Sequence, residues 1–221
     1  MEGVGFPVLV ASDVLALVAS RSAILSSELS ESVCKVKDLL LPSDMETTAY
    51  PACIIMSGLP GSGKSYLSER VAQRLPAVVI ESDRVRKVLY PQPTYTAQES
   101  ATVHDTCREI IGWLLKEGVR VVFDATNLVE FQRETLFHLV ERSGAQLLIV
   151  RVVAPEEVIR SRLEHRHIKA DTASDADWTV YRRMSQREQK IRRAHLCIDT
   201  SQDIEVGVRR ILRAIRSSAS D

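Results

Sequence analysis

Glycines and small polar residues precede a lysine and a serine in one stretch of the chain, between a short apolar run at 52–56 and a helical pattern from Tyr66. In this context, glycines let backbone N–H groups converge on a polyphosphate, and the helix N-terminus adds its positive dipole end. We expect the lysine to reach the β- and γ-phosphates and the final serine hydroxyl to bind Mg²⁺. The sequence therefore predicts a P-loop (Walker A) for a nucleoside triphosphate, formed by Gly58, Pro60, Gly61, Ser62, Gly63, Lys64 and Ser65.

A carboxylate and a guanidinium, Asp83 and Arg86, follow the apolar run 77–80. A phosphotransferase must orient an acceptor hydroxyl and take its proton, and a carboxylate near the γ-phosphate suits that role. Arg86 would share a helical face with Asp83 and could bind a substrate phosphate or carboxylate with two hydrogen bonds. Considered alone, the pair is better explained by an N-cap aspartate with an exposed arginine.

Asp124 follows the apolar run 119–123, which is the position of a Walker B carboxylate. We expect it to hold Mg²⁺, directly or through the ion's hydration shell. The alternative is an N-cap for the helix predicted after Leu128, in which case Thr126 and Asn127 only shape the turn.

Arg162 and Arg166 are four residues apart and therefore lie on one face of a predicted helix. A polar segment, 168–176, follows them. In a P-loop protein this arrangement favours a lid whose arginines neutralise charge in the transition state. The alternative is a solvated helical face.

Strand and helix patterns alternate along the chain, which predicts right-handed crossovers and one parallel sheet covered on both faces. Ligands bind beyond the carboxyl ends of the strands in such sheets. Four polar clusters lie at or just after predicted strand ends, so we expect them to meet at one edge of the sheet: 58–65, 82–86, 124–127 and 151–166.

The first 50 residues carry apolar side chains at helical spacing and no catalytic pattern. They predict a helical N-terminal extension, 1–50, followed by a kinase domain, 51–221. An appendage packed on the main domain is favoured over a docking or dimerisation element.

The composition is typical of a soluble globular protein, with 29 basic and 29 acidic residues among 221. A net charge of zero gives no strong field that would attract long nucleic acid. Cys53 and Cys197 fall in predicted buried strands, and no C-x-x-C pair occurs, which indicates core cysteines in a reducing cytosol. No apolar run approaches the length that spans a membrane, and the predicted location is the cytoplasm.

Together, Gly-x-Pro-Gly-Ser-Gly-Lys-Ser, Ser-Asp-x-x-Arg, Asp-Ala-Thr-Asn and two helical arginines four apart resemble the P-loop polynucleotide kinase group, which includes kinases filed under a broad AAA label. The resemblance covers about residues 52–216. It implies a three-layer α/β sandwich with a five-stranded parallel sheet in the order 2-3-1-4-5. It also implies roles for the matching residues: Asp83 as general base, Arg86 on a substrate phosphate, Arg162 and Arg166 in the lid, and Lys64 and Ser65 on ATP and Mg²⁺.

The sequence therefore predicts an ATP-dependent phosphotransferase that moves the γ-phosphate of Mg·ATP to an acceptor hydroxyl. By resemblance, the acceptor is a polynucleotide or nucleotide 5′-hydroxyl, so that a short nucleic acid end is a possible partner. The same Asp-x-x-Arg arrangement occurs in adenylylsulfate and antibiotic kinases, and the alternative is a kinase for a metabolite or antibiotic. A non-catalytic nucleotide switch is disfavoured, because Asp83 accompanies a complete P-loop.

Overall fold

The computed structural model describes residues 27–166 and 176–217. The predicted polar segment 168–176 lies outside these ranges except for Ala176, as does the part of the N-terminal extension before residue 27. The strands are β1 (Ala52–Ser57), β2 (Val78–Glu81), β3 (Val121–Asp124), β4 (Gln146–Val153) and β5 (Leu196–Asp199). The helices are α1 (27–40), α2 (Lys64–Ala72), α3 (Ser82–Leu89), α4 (Ala97–Lys116), α5 (Glu130–Arg142), α6 (Glu156–Arg166), α7 (Trp178–Ser185) and α8 (Ile204–Ser217).

The five strands form one parallel sheet in the order β2-β3-β1-β4-β5, as predicted. Alternate residues of the central strand β1 enter two different cores. Cys53 and Ile55 pack with residues of α1, α3, α4 and α5, whereas Ile54 and Met56 pack with residues of α2 and α8. This period of two, on a strand buried on both sides, produces the three-layer sandwich.

The N-terminal helix α1 packs on the main domain. Val36 is fully buried in the same core as α4 and α5, and the Lys37 ammonium lies 3.4 Å from the centre of the Trp113 ring. After the helix, Thr47 forms an antiparallel bridge with Val119. The packing supports an appendage on the main domain. Because helix and sheet share one core, the domain boundary near residue 50 remains a prediction.

Two local predictions are wrong. The helical pattern that begins at Asp177 predicts a helix to about Arg193, but the helix ends at Ser185. Further along, Gln189 N donates to Leu128 O, and the Arg133 guanidinium donates to the carbonyls of Gln189 and Lys190. Cys197 is exposed, because its strand, β5, lies at the edge of the sheet. Within the described ranges, no helix is both long and apolar enough to cross a membrane.

Candidate active site

The P-loop runs from the end of β1 to the first turn of α2, and its backbone requires glycine. Gly61 and Gly63 have φ angles of +78° and +91°, which other residues rarely adopt. A Cβ at Gly58 would lie 2.3 Å from the carbonyl oxygen of Val152. Gly63 precedes α2 without any side-chain cap, so the N-terminus of that helix is left for an anion.

Three polar side chains of the loop are among those predicted to bind a triphosphate. Lys64 is 8% exposed, and its Nζ donates to the carbonyl of Leu59 at 3.0 Å. The Ser62 Oγ atom is buried and has no hydrogen-bond partner among the described residues. Ser65 is exposed at the start of α2. A buried hydroxyl without a partner, in a loop where a Cβ on the glycines would clash, fits the predicted nucleotide.

A pair of carboxylates lies at the carboxyl ends of β2 and β3, where Glu81 and Asp124 are in register. Asp124 is 6% exposed. The pKa of Glu81 is raised, first by the burial of its own carboxyl group and then by the negative charge of Asp124. Carboxylate oxygens are ligands that Mg²⁺ prefers, and a cation would relieve their repulsion. The N-cap of α5 is Val129, so the capping alternative for Asp124 is wrong. Sequence reasoning missed Glu81, although a carboxylate closing a predicted strand was the available signal.

Asp83 and Arg86 lie on α3, directly after β2. The N-cap of this helix is Glu81, and Asp83 is its second residue, so the capping alternative is wrong here too. The exposed-arginine alternative also fails, because Arg86 is 9% exposed. Its Nη1 lies 3.5 Å from Glu99 Oε2, and its Nη2 donates to Ser100 Oγ at 3.3 Å. The structure thus places a half-buried carboxylate one helical turn from a buried guanidinium.

Arg162 reaches the P-loop from α6. It donates from Nη1 to the Gly61 carbonyl at 3.3 Å and to Thr200 Oγ1 at 2.8 Å, and from Nη2 to the Thr200 carbonyl at 2.8 Å. Ile159 and Leu163 of the same helix face Gly61, where a Cβ would lie 2.9 Å and 3.1 Å from their side-chain carbons. The solvated-face alternative is therefore wrong for Arg162. Arg166 ends the helix, and its side chain lies outside the described part of the chain.

The turn after β3 is structural. Asn127 has a φ of +46°, and its Nδ2 donates to the Met56 carbonyl at 2.7 Å, while Ser57 Oγ donates to the Asn127 carbonyl. Gly58 N donates to the Thr126 carbonyl at 3.0 Å. These bonds fix the turn that carries Asp124 against the first residue of the P-loop.

Arg133 and Thr200 are supporting residues that sequence reasoning missed. Arg133 is 2% exposed and donates to four carbonyls, those of Asn127, Leu128, Gln189 and Lys190. Thr200 contacts the P-loop from the turn after β5. No local signal could have identified either residue, because each role depends on contacts with segments distant in sequence.

The AAA domain family matches residues 53–191. The chain belongs to this family. A curated relative, human 6-phosphofructo-2-kinase/fructose-2,6-bisphosphatase 4, is 28% identical over 134 residues, which are 52% of this chain and 29% of the relative. The chain therefore spans about three tenths of the length of that relative.

Solved kinases share the fold. A gluconokinase from Sinorhizobium meliloti 1021 aligns with a TM-score of 0.56 and 22% identity, over 78% of this chain and 96% of that chain. The Mycobacterium tuberculosis APS kinase in complex with AMPPNP and APS aligns with a TM-score of 0.56 and 16% identity, over 76% and 99%. At these identities the likeness is one of fold.

Together these matches confirm the predicted fold class. The names of the matched proteins support the prediction of an ATP-dependent kinase with ATP and Mg²⁺ as cofactors, and for this chain that activity is a proposal. The AAA label named with the resemblance is confirmed by the matching family. The polynucleotide kinase group is not confirmed, and the comparisons do not support a nucleic acid end as partner. The site residues and the cytoplasmic location remain predictions.

Proposed function

We propose that this protein is a small-molecule kinase, which transfers the γ-phosphate of Mg·ATP to a hydroxyl of a small anionic acceptor. One observation carries the proposal: Arg86, a buried guanidinium, lies one helical turn from Asp83 on α3, the helix that follows the carboxyl end of β2. A buried cation favours an anionic partner, and the adjacent carboxylate favours an acceptor with a proton to lose.

The names of the relatives support a small acceptor over a nucleic acid. They are a 6-phosphofructo-2-kinase, an APS kinase in complex with APS, and a gluconokinase. The overall charge of zero also favours a small acceptor, because binding a polynucleotide through its phosphates relies on a basic surface.

Each site residue then has a role. Lys64 and the P-loop amides bind the phosphates, while Ser65 and Asp124, with Glu81 beside it, would hold Mg²⁺. When bound, the ion supplies positive charge against the transferring phosphoryl group. Asp83 accepts the acceptor's proton as that oxygen bonds to the γ-phosphorus and ADP departs.

Arg86 orients the acceptor through its anionic group, and Arg162 adds positive charge at the P-loop. Arg166, four residues further along α6, is proposed to act with Arg162 in the lid. Both arginines would stabilise negative charge that develops as the phosphoryl group moves.

The test offers γ-labelled ATP and Mg²⁺ with two sets of acceptors. One set contains sugar phosphates, gluconate and adenylylsulfate, and the other contains 5′-hydroxyl oligonucleotides. We expect label in the small-molecule set, and we expect it to disappear with Lys64→Ala while the fold survives. Labelling of oligonucleotides alone would overturn the proposal in favour of a polynucleotide kinase.

A further inference from the structure

Glu99 holds the segment before α4 in a fixed conformation. Thr96 caps the helix by accepting from Glu99 N, which is half of a capping box. The Glu99 carboxylate does not complete the box. It accepts from Thr94 N at 3.0 and 3.1 Å, from Thr94 Oγ1 at 2.6 Å and from Tyr95 N at 2.7 Å. Four contacts from three donor groups to one carboxylate hold residues 94–96, here called the arm, in place before α4.

Tyr95 is strained within that arm. Its φ of +56° is uncommon for any residue other than glycine and is unfavourable for an aromatic one. The hydrogen bond from its own N–H to Glu99 keeps it in this conformation. Strain of this kind, maintained by neighbouring bonds, is found at ligand-binding sites more often than elsewhere. Here it sets the tyrosine ring 4.9 Å from the guanidinium carbon of Arg86.

The Nε of Arg86 is a donor atom without a partner in the part of the chain that the structure describes. Its Nη1 and Nη2 contacts, to Glu99 and Ser100, are both long, at 3.5 and 3.3 Å. Its Nε is buried and has no hydrogen-bond partner within the described residues. A buried, unpaired donor on a charged group is costly unless a ligand satisfies it. The guanidinium carbon lies over the tyrosine ring, so an anion would bind at the guanidinium edge and not on this side.

We propose that Tyr95 is a specificity-determining residue of the acceptor site, whose ring shields Arg86 from water so that its guanidinium edge binds a small phosphate or carboxylate group of the acceptor. The inference deepens the proposed function and rests on it in one respect, that the bound molecule is the phosphate acceptor. The anion site itself is a property of Tyr95, Glu99 and Arg86, and it can be measured without any phosphoryl transfer.

The experiment uses inorganic phosphate as the probe, with the P-loop filled by Mg·AMPPNP so that phosphate cannot bind there. Calorimetry compares the wild type with Tyr95→Gly and Tyr95→Phe. Glycine tolerates the positive φ, so Tyr95→Gly removes the ring while relieving the strain and is expected to fold. Tyr50→Ala, which removes an exposed tyrosine from another loop, is the matched control.

We expect Tyr95→Gly to weaken phosphate binding roughly 3- to 30-fold, the range of a partly desolvated cation–π contact. Tyr95→Phe and Tyr50→Ala should bind as the wild type does, and AMPPNP affinity should be equal in all four proteins. Unchanged or tighter phosphate binding in Tyr95→Gly would overturn the inference. If the phosphate affinities follow this expectation but no kinase activity is found, the proposed function is overturned and the anion site is retained.

Discussion

Arg162 and Thr200 meet over the P-loop although 38 residues separate them in the sequence. Two hydrogen bonds of 2.8 Å join the guanidinium to the hydroxyl and the carbonyl of Thr200. The same hydroxyl donates to the carbonyl of Ser62 at 2.6 Å, and a Cβ on Gly63 would lie 2.9 Å from it. The shape of the P-loop is therefore set in part by α6 and by the turn after β5.

Replacing Thr200 with valine tests this dependence, because valine keeps the shape and removes the hydroxyl. We expect weaker AMPPNP binding, since a buried hydrogen bond that loses one partner costs about 1–3 kcal/mol. Calorimetric titration of Thr200→Val measures the effect. Thr135→Val, which removes a hydroxyl that donates to the Phe131 carbonyl within α5, is the control. Equal affinities in the two variants would show that Thr200 does not support the loop.

His104 on α4 should make stability depend on pH. Burial, then the charges of Arg108 and Arg86, lower the pKa of His104 below its ordinary 6.5, and Asp105 opposes them only in part. As the pH falls through 6.5, the unfolded chain takes up a proton that the folded chain does not. Folding stability is therefore lost from pH 6.5 downward until the lower folded pKa is reached.

The variant His104→Gln lacks this titration. Urea unfolding at pH 7.5 and at pH 5.5 should show a smaller loss of unfolding free energy in the variant than in the wild type. The comparison at pH 7.5 isolates any loss that is unrelated to protonation. If both proteins lose the same free energy between the two pH values, His104 is not held neutral by its surroundings.

Much of the fold could be predicted because local patterns encode it. The apolar runs 52–56 and 119–123 became strands, and the glycine spacing at 58–63 predicted the turn between β1 and α2. The carboxyl-edge clustering followed from parallel topology alone. What could not be predicted depends on distant partners. Arg133 looks like any helical arginine until four carbonyls from two segments surround it.

The same limit explains the errors. A helical pattern continues past residue 185, yet the backbone of Gln189 bonds to the carbonyl of Leu128, in the turn before α5. Local periodicity reports which face is apolar, but it cannot report which hydrogen-bond partners the tertiary structure provides. The orientation of Arg162 toward Thr200 was inaccessible for that reason, although the helix that carries it was predicted.

Helix α1 should stabilise the domain without contributing to catalysis. Val36 is fully buried, whereas Leu39 on the same helix is 64% exposed. We expect Val36→Ala to lower the free energy of unfolding by about 1.5–3 kcal/mol and Leu39→Ala by less than about 0.5 kcal/mol. AMPPNP affinity should be unchanged in both, as it should be in a folded chain that begins near Thr48. Equal stability of the two variants would contradict the packing of α1.

Asp83 gives the sharpest prediction, because the structure has removed its main alternative. It is the second residue of α3 and not the cap, so its structural contribution is limited to the helix dipole, about 0.3–1 kcal/mol. Asp83→Asn keeps the shape but cannot accept a proton. Loss of a general base lowers the rate by about 10²- to 10⁴-fold.

The measurement is phosphoryl transfer to the acceptor that becomes labelled in the γ-labelled ATP test, with AMPPNP binding followed in parallel. We expect kcat to fall by at least about 100-fold while nucleotide affinity stays unchanged, because Asp83 is not required to touch the nucleotide. Asp203→Asn is the matched control, since Asp203 accepts a backbone hydrogen bond from Glu205 at the start of α8, where asparagine serves equally well. Transfer by Asp83→Asn at the rate of this control would show that the proton leaves by another route, and the proposed mechanism would fail.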